Sequence, residues 1–271
     1  SFITLEGGID TYEEPGFTAI DNYDGDIKSN VDVSGTVDVN TVGTYFITYN
    51  VSDACGNQAT EVVRTINVED TTPPVITLND ASNITLEVFD AYIEHGVTAI
   101  DNIDGDISNN VDISGTVDVN TVGTYNVTYN VTDTCGNVAI EKVRTINVVD
   151  TTPPVITLIG DSLIRTEAKI PYVDQGATAS DNYDGDITNN IDISNNVNTE
   201  IQGTYTVIYN VTDSNGNVAT TVTRTVIVQD TTPPVITIIG ISNEPIEVHT
   251  PYIDPGVYAV DNYDGDISNN V

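Results

Sequence analysis

The chain has no methionine and no tryptophan, two cysteines, two histidines, and only 7 basic residues against 41 acidic ones in 271. Each scarcity removes a class of function. A formal net charge of -34 is unsuited to nucleic acid, whose phosphates need Lys and Arg. It is equally unsuited to an anionic membrane surface. No run of 18 apolar residues exists, so no membrane insertion is expected in this segment. His95 and His249 have no cysteine spaced beside them, which leaves no zinc motif. There is no G-x-S-x-G stretch and no recurring Ser–His pairing to support nucleophilic hydrolysis. A glycoside-cleaving carboxylate pair would be a unique feature, whereas here every repeat carries the same acids, so no enzyme activity is expected. The absence of Met even at position 1, and of a leader peptide, suggests a piece of a longer or processed chain that extends in both directions.

What is present is β-forming. Hydrophobic residues make up 39% of the chain, and Val, Ile and Tyr alternate with polar residues, which argues against disorder despite the charge. The chain also repeats itself. "DNYDGDI" at Asp21 returns as "DNIDGDI" at Asp101 and as "DNYDGDI" at Asp181 and Asp261, each 80 residues on. "DTTPPVIT" starts at Asp70, Asp150 and Asp230, and Arg64, Arg144 and Arg224 keep the same step. A repeat this long is a whole small domain rather than a solenoid unit. The proline pairs at Pro73-Pro74, Pro153-Pro154 and Pro233-Pro234 cannot continue a central strand and stiffen short connectors. The expected modules are residues 1–70 (lacking the opening strand), 71–150, 151–230, and 231–271 as the first part of another.

Within one module, Pro74 to Leu78 reads as a strand, Ile84 to Tyr92 as an extended segment, and Gly96 to Ile100 as the lead into the acidic loop. Alternation resumes at Val111. It is cleanest over Thr124 to Asp133, with Tyr125, Val127, Tyr129 and Val131 on one face. Cys135 to Asn137 is a turn, and Glu141 to Asp150 runs back to the next linker. Short strands, turn signals and no helical period predict an all-β class built as a β-sandwich. Tyr45, Tyr125 and Tyr205 each follow Gly-Thr and precede an inward aliphatic residue by two. That is the spacing of the tyrosine corner in immunoglobulin-like folds, and ordinary core tyrosines are the competing account.

The combined pattern "PPVITL … Y-x-[DE]-x-G-x-x-A-x-DN-x-DGDI … GTY-x-x-x-Y-x-V-[ST]-D-x-x-GN-x-A" resembles the bacterial immunoglobulin-like repeat first noted in an insecticidal crystal toxin and related to hyalin repeats. The likeness covers essentially the whole chain. It implies tandem Ig-like β-sandwich domains in an extended array. It also implies an extracellular, bacterial cell-surface setting and a mostly non-catalytic role, and it says little about any ligand.

The acidic loops are the conspicuous chemistry. Asp101, Asn102, Asp104 and Asp106 place hard oxygens within six positions around Gly105, and Ca²⁺ takes six to eight such oxygens. The EF-hand register and its late Glu are missing. In an Ig-like sandwich this loop, the turn bearing Asp133 and the incoming linker with Asp70 share one end. The corresponding sets are Asp150, Asp181, Asn182, Asp184, Asp186 and Asp213, then Asp230, Asp261, Asn262, Asp264 and Asp266. The first module offers Asp21, Asn22, Asp24, Asp26 and Asp53. Calcium ions at or beside each junction would stiffen the array, in a manner that resembles cadherins. The alternative is turn capping by Asp and Asn alone.

Other repeated positions have plainer expectations. Glu87, Glu167 and Glu247 read as edge-strand salt bridges, with a ligand role as the alternative. Arg144, in phase with Ile146 and Val148, calls for a partner carboxylate. Thr71, Thr151 and Thr231, in "DTT", resemble an O-glycan acceptor context, with an unmodified connector as the default. Cys55 and Cys135 hold the same turn one module apart. A sandwich repeats at roughly 35–45 Å and a disulfide needs Cα atoms within ~7 Å. The two should therefore not pair with each other, leaving free thiols or cross-links to another chain. The expected function is a stalk or filament segment, with neighbouring copies of the chain as possible fibre partners. A glycan- or protein-binding module and the spacer of a secreted enzyme are the rivals. Against the former, the loop position of Tyr23, Tyr183 and Tyr263 becomes Ile103 in the second module.

Overall fold

The computed structural model describes residues 2–240, 243 and 245–271; Ser1, Ile241, Ser242 and Glu244, in the first and last expected modules, lie outside the described residues. The chain divides into two compact units, Ser1–Val149 and Asp150–Val271. Among the described residues, all regular structure is strand apart from single 3₁₀ turns that follow each acidic loop, such as Ser108–Asn110.

The second module shows the complete pattern. One sheet has three strands, with Val97–Asp101 between Val75–Leu78 and Gly105–Asp106, both antiparallel to it. The other has four, in the order Asp112–Ser114, Gly123–Asn130, Lys142–Val149 and Asn83–Glu87. Its last pair is parallel, with Ile146 opposite Ile84 and Val149 opposite Glu87. The third module repeats this arrangement with Val155–Leu158, Ala177–Asp181 and Gly185–Asp186 in one sheet and Leu163–Glu167, Val222–Gln229, Gly203–Asn210 and Asp192–Asn195 in the other. Period-two alternation turns one face of each sheet inward. Ile156, Ala177 and Ala179 from one sheet meet Val207, Tyr209 and Val226 from the other in a single apolar core. This is an all-β, Ig-like sandwich.

The tyrosines two residues before the inward aliphatics close the ends. Tyr45, Tyr125 and Tyr205 donate through their hydroxyls to the carbonyls of Thr41, Thr121 and Ile201 at 2.8, 2.9 and 2.9 Å. This is the tyrosine-corner geometry. Arg144 is fully buried, in phase with Ile146 and Val148. Its guanidinium pairs with Glu94, donates to the Tyr129 hydroxyl at 3.0 Å and to the Ala81 carbonyl at 3.2 Å, and lies over the Tyr129 ring. Burial by itself would raise the Glu94 carboxyl. The Tyr92 and Tyr129 hydroxyls, the Gly96 N–H and the Arg144 charge outweigh it and hold the group below its ordinary range. The same network recurs as Arg64 with Glu14 and as Arg224 with Asp174. A buried charge is tolerable only when paired and hydrogen-bonded in this way.

The extended segment predicted over Ile84 to Tyr92 ends sooner, at Glu87. Phe89 then takes φ 72°, a left-handed conformation shared by Gly8 and Lys169 at the same place in their modules. The N–H groups of Gly8, Phe89 and Lys169 bond to the carbonyls of Val39, Val119 and Thr199, each at 2.8 Å, which holds the turn. The alternation of Ile84, Leu86 and Val88 breaks at this bend, where Phe89 is apolar out of phase and Asp90 falls in the inward phase.

The first module has its four-stranded sheet, Phe2–Glu6, Val62–Glu69, Gly43–Asn50 and Asp32–Ser34, but its other sheet is only the pair Ile20–Asp21 and Gly25–Asp26. No strand among the described residues fills the place of Val75–Leu78. The fourth has the three-stranded sheet Val235–Ile238, Val257–Asp261 and Gly265–Asp266, with no opposing sheet among the described residues. Its Ile236 is 58% exposed, whereas Ile76 in the second module is 3% exposed.

Candidate functional site: aspartates where linker, loop and turn meet

Each acidic loop is first a self-capped turn. Asp101 Oδ1 accepts from the backbone N–H groups of Ile103 and Asp104, both at 2.8 Å, and Gly105 at φ 71° completes the reversal. Asp106 accepts from Ser108 N–H at 3.0 Å. Asp104 reaches across to the neighbouring turn and accepts from the Thr134 N–H and hydroxyl, both at 2.7 Å. In that turn, Asp133 accepts from the backbone and side chain of Asn137, both at 2.8 Å. Burial disfavours its charge, but the Asn137, Gly136 and Cys135 donors prevail and keep its carboxyl low. The fold therefore uses these side chains as Asx-type braces.

Capping does not consume them all. The Asn137 amide also donates to the Asp70 carbonyl at 3.1 Å, and the Asn102 amide donates to Gly7 O at 2.7 Å and to Asp70 Oδ1 at 3.2 Å, which draws the linker onto the loop. As a result Asp70, Asp101 and Asp133, all buried, present carboxylate oxygens within 4.8 Å of one another. The buried atoms Asp70 Oδ2, Asp101 Oδ2 and Asn102 Oδ1 have no hydrogen-bond partner. In the second unit Asp150, Asp181 and Asp213 form the equivalent cluster, and Asp230, Asp261 and Asp264 form another. Asp181 Oδ2 is likewise buried without a partner. Burial, with the nearby charges of Asp181 and Asp213, pushes the Asp150 carboxyl up. Burial and then the Glu167 carboxylate do the same for Asp230.

Of the residues singled out from sequence, the structure thus gathers the linker Asp, the first loop Asp and the turn Asp. It does not gather the whole loop. Asp104 and its equivalent Asp184 brace the adjacent turn, the latter through Ser214 N–H at 2.6 Å and its hydroxyl at 2.7 Å. Asp106, Asp186 and Asp266 cap the 3₁₀ turns through Ser108, Thr188 and Ser268. Asp264 joins its cluster with Asp230 and Asp261. Asn182 is exposed, and Asn262 donates to Glu167 Oε1 at 3.3 Å. In the first module Asp21 accepts from Tyr23 and Asp24 N–H, Asp24 from Ala54 N–H, Asp26 from Lys28 N–H and Asp53 from Asn57. Asn22 there is exposed.

Sequence reasoning placed the repeated glutamates in edge-strand salt bridges, and the structure gives Glu167 another task. It accepts from Thr231 N–H at 3.0 Å, the Thr231 hydroxyl at 2.6 Å and the Thr232 hydroxyl at 2.9 Å, and these donors lower its carboxyl to about 2. Glu6 does the same for Thr71 and Thr72, at 2.7–2.8 Å. Glu6 escaped the 80-residue step because the first module carries one extra residue between this strand and its acidic loop. The signal that finds it is the shared "ITLE" of Ile3–Glu6 and Ile84–Glu87. The hydroxyls of Thr71 and Thr231, weighed as glycan acceptors, are donors in these clamps. The variable loop position also has a role. Ile103 sits over Gly7, where a Cβ would lie 2.6 Å from its Cδ1, and Tyr263 lies 5.8 Å from the Lys169 ammonium.

The turn next to Asp133 differs between modules. Asn215 donates its side-chain amide to Asp150 Oδ2 at 3.0 Å. Cys135 holds that position in the second module and is a free, exposed thiol, as is Cys55. Burial raises the Cys135 thiol, and the Asp70 carboxylate then adds to this, with Asp133 and Asp104 behind it.

The family model for "Bacterial surface protein, Ig-like domain" matches residues 2–68, 76–148 and 156–228. The chain belongs to this family. Among its relatives, the pesticidal crystal protein Cry22Aa of Bacillus thuringiensis is 33% identical over 218 residues, 77% of this chain and 29% of the relative. Hyalin of Lytechinus variegatus is 38% identical over 233 residues, 79% of this chain and 42% of the relative. This member of the surface Ig-like family therefore spans less than half the length of either. Among solved structures, the lipoprotein BT2262 of Bacteroides thetaiotaomicron is 20% identical, with coverage of 52% and 61% of the two chains and a TM-score of 0.27. Drosophila N-cadherin EC1-3 is 12% identical, with coverage of 84% and 97% and a TM-score of 0.29. Both overlaps are too slight to bear on function.

Proposed function

We propose that this chain is a structural and adhesive stalk segment of a long extracellular bacterial surface protein, whose Ig-like modules are stiffened by Ca²⁺ where linker, loop and turn meet. The observation that carries the reading is the buried convergence of Asp70, Asp101 and Asp133, with oxygens left unpartnered. Three carboxylates at such range repel in a medium of reduced dielectric. A capped turn needs no such gathering, and a linker aspartate adds nothing to it. Two ligands on opposite sides of one Ca²⁺, each at about 2.4 Å, stand about 4.8 Å apart, which is the limit within which these oxygens lie. Asn102 Oδ1 supplies a further hard donor, and water completes the shell. The bound cation neutralises the cluster and ties the linker to the loop and turn of the following module. The segment then acts by reach rather than catalysis, with cation bridges to neighbouring copies as a route to fibres.

Calorimetric titration of the whole chain tests the reading. Saturable Ca²⁺ uptake is expected, and Asp70→Asn removes one site while leaving that at Asp150. X-ray scattering with calcium and then with chelator reports stiffness. No heat and no melting shift at millimolar Ca²⁺ would discard the proposal.

A further inference from the structure

Resting on that cation reading, we infer that the clusters at Asp70 and Asp150 take calcium with unequal strength. The Asp70 cluster stands open and fills first, while the Asn215 amide latches the Asp150 cluster and competes with the cation for its linker carboxylate.

The two clusters share most of their frame. Each gathers a linker, a loop and a turn aspartate with oxygens within 4.8 Å of one another. Linker Oδ1 accepts from the N–H two residues on, Thr72 at 3.3 Å and Thr152 at 3.2 Å. Loop Oδ1 accepts two N–H bonds in each, and loop Oδ2 is buried and unpartnered at both Asp101 and Asp181. Those two residues are more than nine-tenths buried, at 6% and 8% exposure. Each cluster therefore keeps a seat for a cation.

The difference lies in the remaining oxygens. Asp70 Oδ2 has no hydrogen-bond partner, whereas Asp150 Oδ2 accepts from Asn215 Nδ2 at 3.0 Å. Cys135 holds the position of Asn215 in the second module and offers no amide. A hydrogen bond to a carboxylate is stronger than a neutral one, and it draws on the same lone pairs that a cation needs. The amide is not required to place the carboxylate, because Asp70 joins its cluster without one. Asn102 adds to the contrast. Its Oδ1 is buried and unpartnered, while its counterpart Asn182 is exposed. The Asp70 cluster thus offers three open oxygens from linker and loop, and the Asp150 cluster one.

The test is a Ca²⁺ titration of the full chain labelled with nitrogen-15. The amides of Ile103 and Asp104 report the Asp70 cluster, and those of Tyr183 and Asp184 the Asp150 cluster. The first pair should reach its midpoint at about tenfold less calcium than the second. Asn215→Ala should lower the second midpoint at least about threefold and leave the first in place. Cys135→Asn should install the latch and raise the first midpoint by a similar factor. Both side chains are exposed, so the variants should keep their melting transitions, which are checked alongside. Equal midpoints in the unaltered chain overturn the inference while the calcium reading stands. So does an Asp150 midpoint that Asn215→Ala leaves unchanged or raises; a rise would make Asn215 a ligand rather than a latch. No shift at either amide pair removes the calcium reading and this inference with it.

Discussion

The first and second modules carry nearly the same pattern in different surroundings. Asp101, Asp133 and Ala99 are buried, while Asp21, Asp53 and Ala19 are only half-buried, and Tyr23 is 89% exposed where Ile103 is covered by Gly7. The difference has two sources. The second module has the Val75–Leu78 strand beside its acidic-loop strand, and it receives a linker with Asp70 that closes over the loop. The first has neither among the described residues. The DN-x-DGDI loop therefore forms its capped turn alone, since Asp21 binds its N–H partners just as Asp101 does. It becomes a cluster of buried acids only when a preceding linker arrives. Local sequence makes the turn, and the neighbour makes the site.

The largest test of the contrast lies in the buried ion pairs. Glu94→Ala leaves the fully buried Arg144 without its carboxylate. Breaking such a pair costs about 3 kcal/mol, read as lost hydrogen-exchange protection across the second module. Glu14→Ala in the first should cost less, because Arg64 is 11% exposed already. Equal losses would show that the missing strand does not matter to the pair. Next, grafting a copy of residues 70–81 ahead of the first module should stabilise it by about 2 kcal/mol, the value of burying one large aliphatic side chain. Proton-exchange protection should rise at Phe17 to Asp21, and unchanged protection would separate strand complementation from burial.

Acid should act on the linkers as well. Donors from Thr231 and Thr232 depress Glu167, and those from Thr71 and Thr72 depress Glu6. A depressed carboxyl contributes stability that is full above its unfolded value, about 4.3, and is lost as pH falls through the folded one. For Glu167 that window runs from about 4.3 down to about 2. Methyl shifts of Thr231 and Thr71 should report linker release there, and Glu6→Gln should remove the pH response at Thr71 alone. The smallest effect belongs to the variable loop position. Tyr23→Ala should change stability by less than about 0.5 kcal/mol, whereas Ile103→Ala should cost about 1 kcal/mol or more as a packed contact is lost.

Much of the fold is legible without coordinates. The 80-residue step reads out the repeat that the family model matches three times, and the alternation through Tyr125, Val127 and Tyr129 marks the inward face, because period is a local property. Arg144 announces a partner for the same reason, being in phase with apolar neighbours. The left-handed bend at Phe89 is marked in the sequence only by a break in the alternation at Phe89 and Asp90, which does not specify a positive φ. Glu6 was hidden from the 80-residue step by a single added residue, although the shared "ITLE" marks it, and its pairing opposite Glu69 in the parallel strand pair aligns it with Glu87 and Glu167.

The acids divide along the same line. Sequence by itself determined that each loop is an oxygen-rich turn, because its first and last Asp bond to N–H groups two or three residues away. Which of those oxygens remain open was decided by the tertiary structure. Thr134 claims Asp104 from 30 residues away, while Asp70 arrives from 31 residues before Asp101. Such contacts depend on where strands place distant turns, and no local pattern encodes that distance.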